Sequence, residues 1–229
     1  SKIAGSDKVK KVQKDFEATH VRPERLMKTL FTDEAYVKAN VDEARLMRRL
    51  FDLACNMQSH DTDMQLYSLF TDEECYDLWS CNNLYWYLTH ACSPVTDGLM
   101  PYREADLLRN ILDRADAALK EGKNQATLRF GHESCLLPLV ALLELNHYGE
   151  SYPDVEKLSE QWRAYDIFPM ASNVQFVFFH KKGSNDVLVK VLLNEKEAKL
   201  PVKTDVAPYY HWKDVESYYR EKLDKYQHI

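Results

Sequence analysis

Apolar positions recur mostly at helical spacing up to about residue 122 and as strand-like runs after it. Within the stretch that begins at Asp33, Leu46, Leu50, Leu53 and Met57 follow one another at intervals of four, three and four. That spacing draws one apolar stripe along a helix, with Arg45, Arg48 and Arg49 beside it as surface charges. Thr71-Asp-Glu-Glu74 is a capping box and opens a second helix expected to run to about Ala91. This helix is crowded with Tyr76, Trp79, Tyr85, Trp86 and Tyr87. Almost no Lys or Arg accompanies them, so they are expected in the core rather than stacked on nucleic-acid bases. Ser93-Pro-Val-Thr-Asp-Gly98 reads as turn residues. A third helix, about Tyr102 to Glu121, sets Leu107, Leu108, Ile111, Leu112 and Leu119 on one side and ends at Gly122, a C-cap position.

The stretch from Asn124 to Leu143 changes period. Ala126, Leu128 and Phe130 predict a short strand, broken at Gly131 by a tight turn into an apolar helix that starts at His132 and Glu133. Pro138 is expected early in that helix, within about the first turn, where a missing N–H costs least. Past Tyr148 a looser stretch with Pro153 and Pro169 leads to Asn173. Val174–Phe179 and Val187–Leu193 are two β runs separated by Lys182-Gly-Ser-Asn-Asp186, a hairpin signal. An amphipathic helix from about Trp212 to Tyr226 follows. At the other end, Ser1 to about Val21 carries Lys8, Lys10, Lys11 and Lys14 and reads as a solvated, frayed segment. The expected layout is a polar segment (1–21), a helical region (22–122) and a β-α-β-hairpin-α region (123–229).

Composition narrows the classes. At 229 residues, 45% apolar and 12% aromatic, the chain can bury one large or two small cores. A net charge of −6 gives no global basic footprint for nucleic acid. No apolar run approaches the ~18–20 residues of a membrane helix. Five scattered cysteines (Cys55, Cys75, Cys81, Cys92, Cys135) match no metal-site spacing and are expected as buried free thiols, with one disulfide open if the protein is exported. His60, Asp61 and Asp63 share a short polar loop, which fits a turn better than a metal site. No metal and no organic cofactor is expected.

His132 and Glu133 carry the candidate chemistry. At a helix N-terminus they face free backbone N–H groups and the positive end of the helix dipole, where anions bind well. A purely structural reading stands beside this one: Glu133 and Ser134 cap the helix and His132 is a turn residue. The run Leu128-Arg-Phe-Gly-His-Glu-Ser-Cys-Leu-Leu-Pro-Leu139 resembles the second signature of the histidine acid phosphatases, the clan that holds phytases and multiple inositol polyphosphate phosphatases. Asn82-Asn-Leu-Tyr-Trp-Tyr-Leu88, Gly98-Leu-Met-Pro101, Leu107-Leu-Arg-Asn110 and Phe168-Pro-Met-Ala-Ser-Asn173 add to the likeness, which covers about Phe70 to Val191. The acid follows the His directly, as in the family's His-Asp form, but is Glu133 rather than Asp.

The resemblance implies an α/β fold: a helical cap subdomain plus the later strands of a mixed-sheet phosphatase core, incomplete in this chain. It implies phosphomonoester hydrolysis through a phosphohistidine, with phytate or other inositol phosphates as substrates. His132 would hold the scissile phosphate, and Glu133 would protonate the leaving alkoxide and then activate water. Ala171 and Asn173 would lie near the pocket. A carboxylic acid must carry its proton at that moment, so activity is expected to favour acidic pH. The family's Arg-His-Gly-x-Arg-x-Pro motif, which supplies the nucleophile, has no match here; His20-Val-Arg-Pro-Glu-Arg25 lacks its Gly and its order. The expectation is therefore the C-terminal part of a longer enzyme, inactive alone and completed by a separate N-terminal segment, in a periplasmic, secreted or cell-surface protein. The rival readings are a non-catalytic helical interaction domain and a phosphatase for small sugar phosphates.

Overall fold

Thr71 and Glu74 close the capping box that their spacing predicts. The Glu74 amide donates to Thr71 Oγ1 (3.2 Å), and the Thr71 amide donates to Glu74 Oε2 (2.9 Å). The structure is a computed structural model and describes residues 3–123 and 125–226. These residues form two compact units, Gly5–Tyr85 and Trp86 onward, with residues 3–4 grouped with the latter. The layout read from sequence put its boundaries at 21/22 and 122/123; the division between the units falls inside a single helix.

The first unit is helical: α1 (Asp7–His20), α2 (Glu24–Leu30), α3 (Glu34–Asn40), α4 (Glu43–Asn56) and the greater part of α5 (Asp72–His90). The N-terminal stretch is not frayed over its described residues, and Ser1 and Lys2 lie outside them. α1 begins at Ser6, whose hydroxyl accepts from the Val9 amide, and it buries Val9 and Phe16, while Lys8, Lys10, Lys11 and Lys14 face solvent. A lysine-rich helix needs only one apolar residue per turn or two to seat it, which a charge count hides. The stripe expected on α4 is rotated. Met47 and Ala54, seven residues apart, are buried, while Leu46 and Leu50 are half-buried and Leu53 is 53% exposed. Phe51 carries the remaining contact, edge-on to Tyr67 and Phe70. Arg48 is not a free surface charge either, since it donates to Glu17 of α1.

Ion pairs tie α2 and its approach to the first turns of α5. Arg22 donates to Glu73 (2.8 Å) and Asp77 (2.5 Å), and Arg25 donates to both oxygens of Glu74. The hydrogen bond from Arg25, with that of the Thr71 amide, holds the Glu74 carboxyl below its usual range despite burial. The aromatics of α5 divide: Tyr87 is fully buried, Trp79 and Trp86 are half-buried, and Tyr76 and Tyr85 are exposed. Core packing therefore accounts for only part of the expected stripe.

The second unit holds the end of α5, then α6 (Ala105–Glu121), α7 (Glu133–Leu142), two one-turn helices α8 (Leu158–Gln161) and α9 (Ala164–Ile167), a small sheet and α10 (Trp212–Lys225). A 3-10 segment, Met100–Glu104, precedes α6 and packs along α7. Leu108 and Leu112 are buried, Leu107, Ile111 and Leu119 half-buried, and Gly122 ends α6 in the left-handed region (φ 64°). The sheet is antiparallel throughout. β1 (Val174–His180) pairs with β2 (Val187–Leu193) as the predicted hairpin, Val174 opposite Leu193 and His180 opposite Val187. β3 (Lys196–Glu197) and β4 (Tyr210–His211) share the other edge of β2. Along β2, Val189, Val191 and Leu193 are buried at the period of two that a half-covered strand requires.

α10 covers one end of α7. Tyr219 donates to the Leu143 carbonyl (2.7 Å), and Lys222 donates to the Leu142 carbonyl (2.7 Å). An ammonium beside the last carbonyls suits both their unfilled lone pairs and the negative end of the helix. Arg220 of α10 reaches Asp113 and Asp116 of α6, and Trp212 also donates to Asp116 (2.8 Å). The elements thus form an α/β arrangement with a small antiparallel sheet.

Candidate active site

The structure places the His-Glu pair at the start of α7, as the spacing predicts, but without the strand before it. His132 is the N-cap (φ −111°, ψ 164°), and its carbonyl accepts from the amides of Cys135 (3.0 Å) and Leu136 (3.1 Å). Among the described residues, the amides of Glu133 and Ser134 donate to no backbone partner outside the helix, and the His132 side chain makes no capping bond. His132 and Glu133 are both exposed. The structural reading of these residues as side-chain caps is therefore not what holds the helix start. Two free first-turn amides and a positive dipole end remain open to an anion.

The predicted strand over Ala126, Leu128 and Phe130 does not form; Asn124, where that stretch begins, lies outside the described residues. Residues 125–130 are exposed and enter no ladder, with Leu128 at 76% and Phe130 at 94% exposure. A strand exists only with a neighbour to share its N–H and C=O groups, and among the described residues no strand takes that place. Gly131 is also not used as expected. Its φ lies outside the left-handed region, and an added Cβ would meet nothing within 4 Å. Pro138 sits deeper than the first turn, inside the helix and fully covered, so the Ser134 carbonyl receives no helical donor from it. The helix tolerates the proline because Leu137 to Leu142 are all buried, and packing outweighs the lost bond.

A second histidine, His90, stands in the last turn of α5 and is 6% exposed. Its Nδ1 is 2.7 Å from Thr89 Oγ1, and its ring packs on Trp86 at 4.7 Å between centroids. Burial, reinforced by the positive charge of Arg103, pushes this imidazole down to about 4, against the opposing influence of Glu133. His90 is thus a neutral ring within electrostatic reach of the candidate acid. The sequence offers one signal for it, a His at the end of an aromatic-rich helix, and that signal alone does not distinguish it from core packing.

Ala171 and Asn173 stand at the entrance to β1. Ala171 takes a left-handed backbone (φ 59°). Asn173 is engaged locally: its Nδ2 donates to the Ala171 carbonyl (3.2 Å), its Oδ1 accepts from Gln175 (2.9 Å), and its amide donates to Asn194 (3.1 Å). A cleft of about 530 Å³ lies elsewhere, at the C-terminal end of α7, lined by Cys92, Tyr102, Leu142, Glu144 and Lys222 among others. At 1.5 Å rise per residue, Leu142 lies roughly 13 Å along the helix from Glu133. The cleft and the His-Glu pair are separate features of α7.

All five cysteines are free; Cys81 is buried and Cys135 is exposed, so the expectation of uniformly buried thiols fails at the first turn of α7. Burial drives the Cys81 thiol up to about 12 and that of Cys92 up to about 11. His60 is exposed beside Asn56, and among the described residues no group of three His, Cys, Asp or Glu side chains converges on a metal position. No helix among them is long and apolar enough to cross a membrane.

Comparison with known proteins sets this geometry in a family. Multiple inositol polyphosphate phosphatase 1 of Homo sapiens is 28% identical over 134 residues, which make up 53% of this chain and 27% of that protein. The fold is shared with the crystal structure of Bifidobacterium longum multiple inositol polyphosphate phosphatase in complex with phosphate. There the TM-score is 0.64 at 18% identity, over 97% of this chain and 54% of that one. The same enzyme in complex with inositol hexasulfate gives a TM-score of 0.61 at 22% identity, over 77% and 38% respectively. The chain spans about a quarter of the human relative and about half or less of the bacterial chains. A family model described as the histidine phosphatase superfamily (branch 2) matches residues 4–194, most of the chain, and the chain therefore belongs to that superfamily.

Proposed function

We propose that the protein to which this chain belongs is a phosphomonoester hydrolase of the histidine phosphatase type, acting on phytate or other inositol phosphates. The observation that carries this reading is the exposed His132–Glu133 pair at an α7 N-terminus whose first amides are open, in a chain of this superfamily. His132 binds the scissile phosphate together with the helix start. Glu133, in its acid form, gives a proton to the departing inositol oxygen. As a carboxylate it then takes one from the water that attacks the phosphoenzyme. The nucleophilic histidine and its arginines come from a segment outside these residues. That segment also covers Leu128 and Phe130 by adding the strand that residues 125–130 lack.

The covalent step forms a bond from a histidine nitrogen to phosphorus and breaks the phosphorus–oxygen bond to the alcohol, which leaves with the proton of Glu133. Water then breaks the phosphorus–nitrogen bond and releases phosphate. No metal or organic cofactor enters this scheme. A periplasmic, secreted or cell-surface location suits an enzyme that works on an external phosphate store.

The test is phosphate release by the complete enzyme and by residues 1–229 alone, offered phytate and a small monoester such as glycerol phosphate. Faster release from phytate by the complete enzyme, with none from the 229 residues alone, is expected. Preference for the small monoester would replace the substrate class, and no release from either would leave the non-catalytic reading.

A further inference from the structure

His211, the second residue of β4, lies between two carboxylates from different parts of the second unit. Its Nδ1 is 3.0 Å from Asp186 Oδ2 and 3.1 Å from Oδ1, and its Nε2 is 2.9 Å from Asp205 Oδ1. Asp186 ends the hairpin turn and immediately precedes β2, and Asp205 belongs to the 200–209 loop. An ionised carboxylate only accepts hydrogen bonds, and a neutral imidazole has a single N–H to give. Both contacts are satisfied together only by the imidazolium.

The surroundings leave these two acids in charge of the ring. On β2, where Leu188 pairs with His211, the nearby cation Lys190 is held by Glu197 (3.1 Å) and lies over the Tyr209 ring. From α10, Lys213 is exposed; at the end of β1, His180 Nε2 lies 2.8 Å from the Ser184 carbonyl. The hydrogen bonds to Asp186 and then Asp205 raise the imidazole above 6.5, and the His211 bond lowers the Asp205 carboxyl in turn.

We propose that His211 is a proton-operated clasp, which as imidazolium fastens the turn of the β1–β2 hairpin to the 200–209 loop and on deprotonation releases one of the two. Within the loop, Thr204 Oγ1 donates to the Tyr209 carbonyl and accepts from the Val206 amide (3.2 Å), and the Tyr209 amide donates to the Val206 carbonyl (3.0 Å). Besides His211, its ends are held by the Leu200 amide donating to the Tyr210 hydroxyl (3.0 Å) and by the Tyr209 ring edge-on to Phe179 and under Lys190. With a neutral ring, one carboxylate loses its donor and two negative charges face each other across the imidazole. Because the folded-state value is raised, the clasp is fully closed below 6.5 and opens as pH rises through the raised value. The device thus tightens the second unit in acid, whatever reaction the protein performs.

Ring-nitrogen NMR of the protein, with His211 assigned through His211→Gln, tests this directly, together with protection of the Tyr209 amide from hydrogen exchange. A His211 midpoint above 6.5, shifted down in Asp205→Asn, is expected. Tyr209 protection, corrected for intrinsic exchange, should fall severalfold above that midpoint in the parent, with that step lost in Asp205→Asn. A midpoint at or below 6.5, or the same Tyr209 protection on both sides of it, overturns the proposal.

Discussion

The Tyr219 hydroxyl, on α10, donates a 2.7 Å hydrogen bond to the carbonyl of Leu143, the C-cap of α7. Both residues are fully buried, so neither group has water as an alternative partner. Together with Lys222 this bond fixes the C-terminal end of α7, while the opposite end presents His132 and Glu133. Tyr219→Phe keeps the ring packing but strands the carbonyl. A loss of about 1–3 kcal/mol in denaturant unfolding is expected, and an unchanged midpoint would remove this bond from the list of ties.

Two glycines of the second unit make opposite predictions. A Cβ on Gly149 would lie 2.5 Å from Glu144 Cγ and 2.9 Å from its Cα, and Glu144 is itself held at φ 52°. Backbone cannot give way as a side-chain end can, so Gly149→Ala is expected to cost about 1–3 kcal/mol. Gly131→Ala meets open space and is expected to leave the unfolding of this chain within about 0.5 kcal/mol. Turnover of the complete enzyme is the place where Gly131→Ala should register, if the nucleophile segment packs beside it.

Acid works on His90 in the direction opposite to His211. Its folded-state value is depressed from 6.5 to about 4, so the unfolded chain binds the proton first. The stability contributed by the neutral ring is present above 6.5 and is lost as pH falls through about 4, on the order of 1–3 kcal/mol. Unfolding of the parent and His90→Gln across this range checks it. The parent is expected to lose more stability on acidification than the variant, and parallel curves would contradict the assignment.

What the sequence made legible follows from which forces are local. The capping box of Thr71 and Glu74, the left-handed Gly122 and the 174–193 hairpin all depend on neighbours within a few residues, and all appear where their spacing puts them. A strand around Phe130 would need a partner strand, which no described residue supplies. Its alternating Ala126, Leu128 and Phe130 state a preference that an isolated segment cannot satisfy. The rotation of the α4 stripe toward Met47 and Ala54 has the same origin, because which flank of an apolar face is covered is decided by the packing partners. The His-Glu pair was legible through its motif, whereas His90 and the His211 clasp were not. Thr89, Asp186 and Asp205 carry no spacing signal that ties them to those imidazoles.

The proposed function stands on Glu133 transferring protons during phosphomonoester hydrolysis. The most direct measurement is phosphate release from phytate by the complete enzyme and its Glu133→Gln variant, with unfolding followed in parallel. Glutamine keeps the size of the side chain but has no acidic proton. Turnover is expected to fall about 10²–10⁴-fold, with stability within about 0.5 kcal/mol at this exposed position. Parental turnover in a folded Glu133→Gln enzyme would contradict that role.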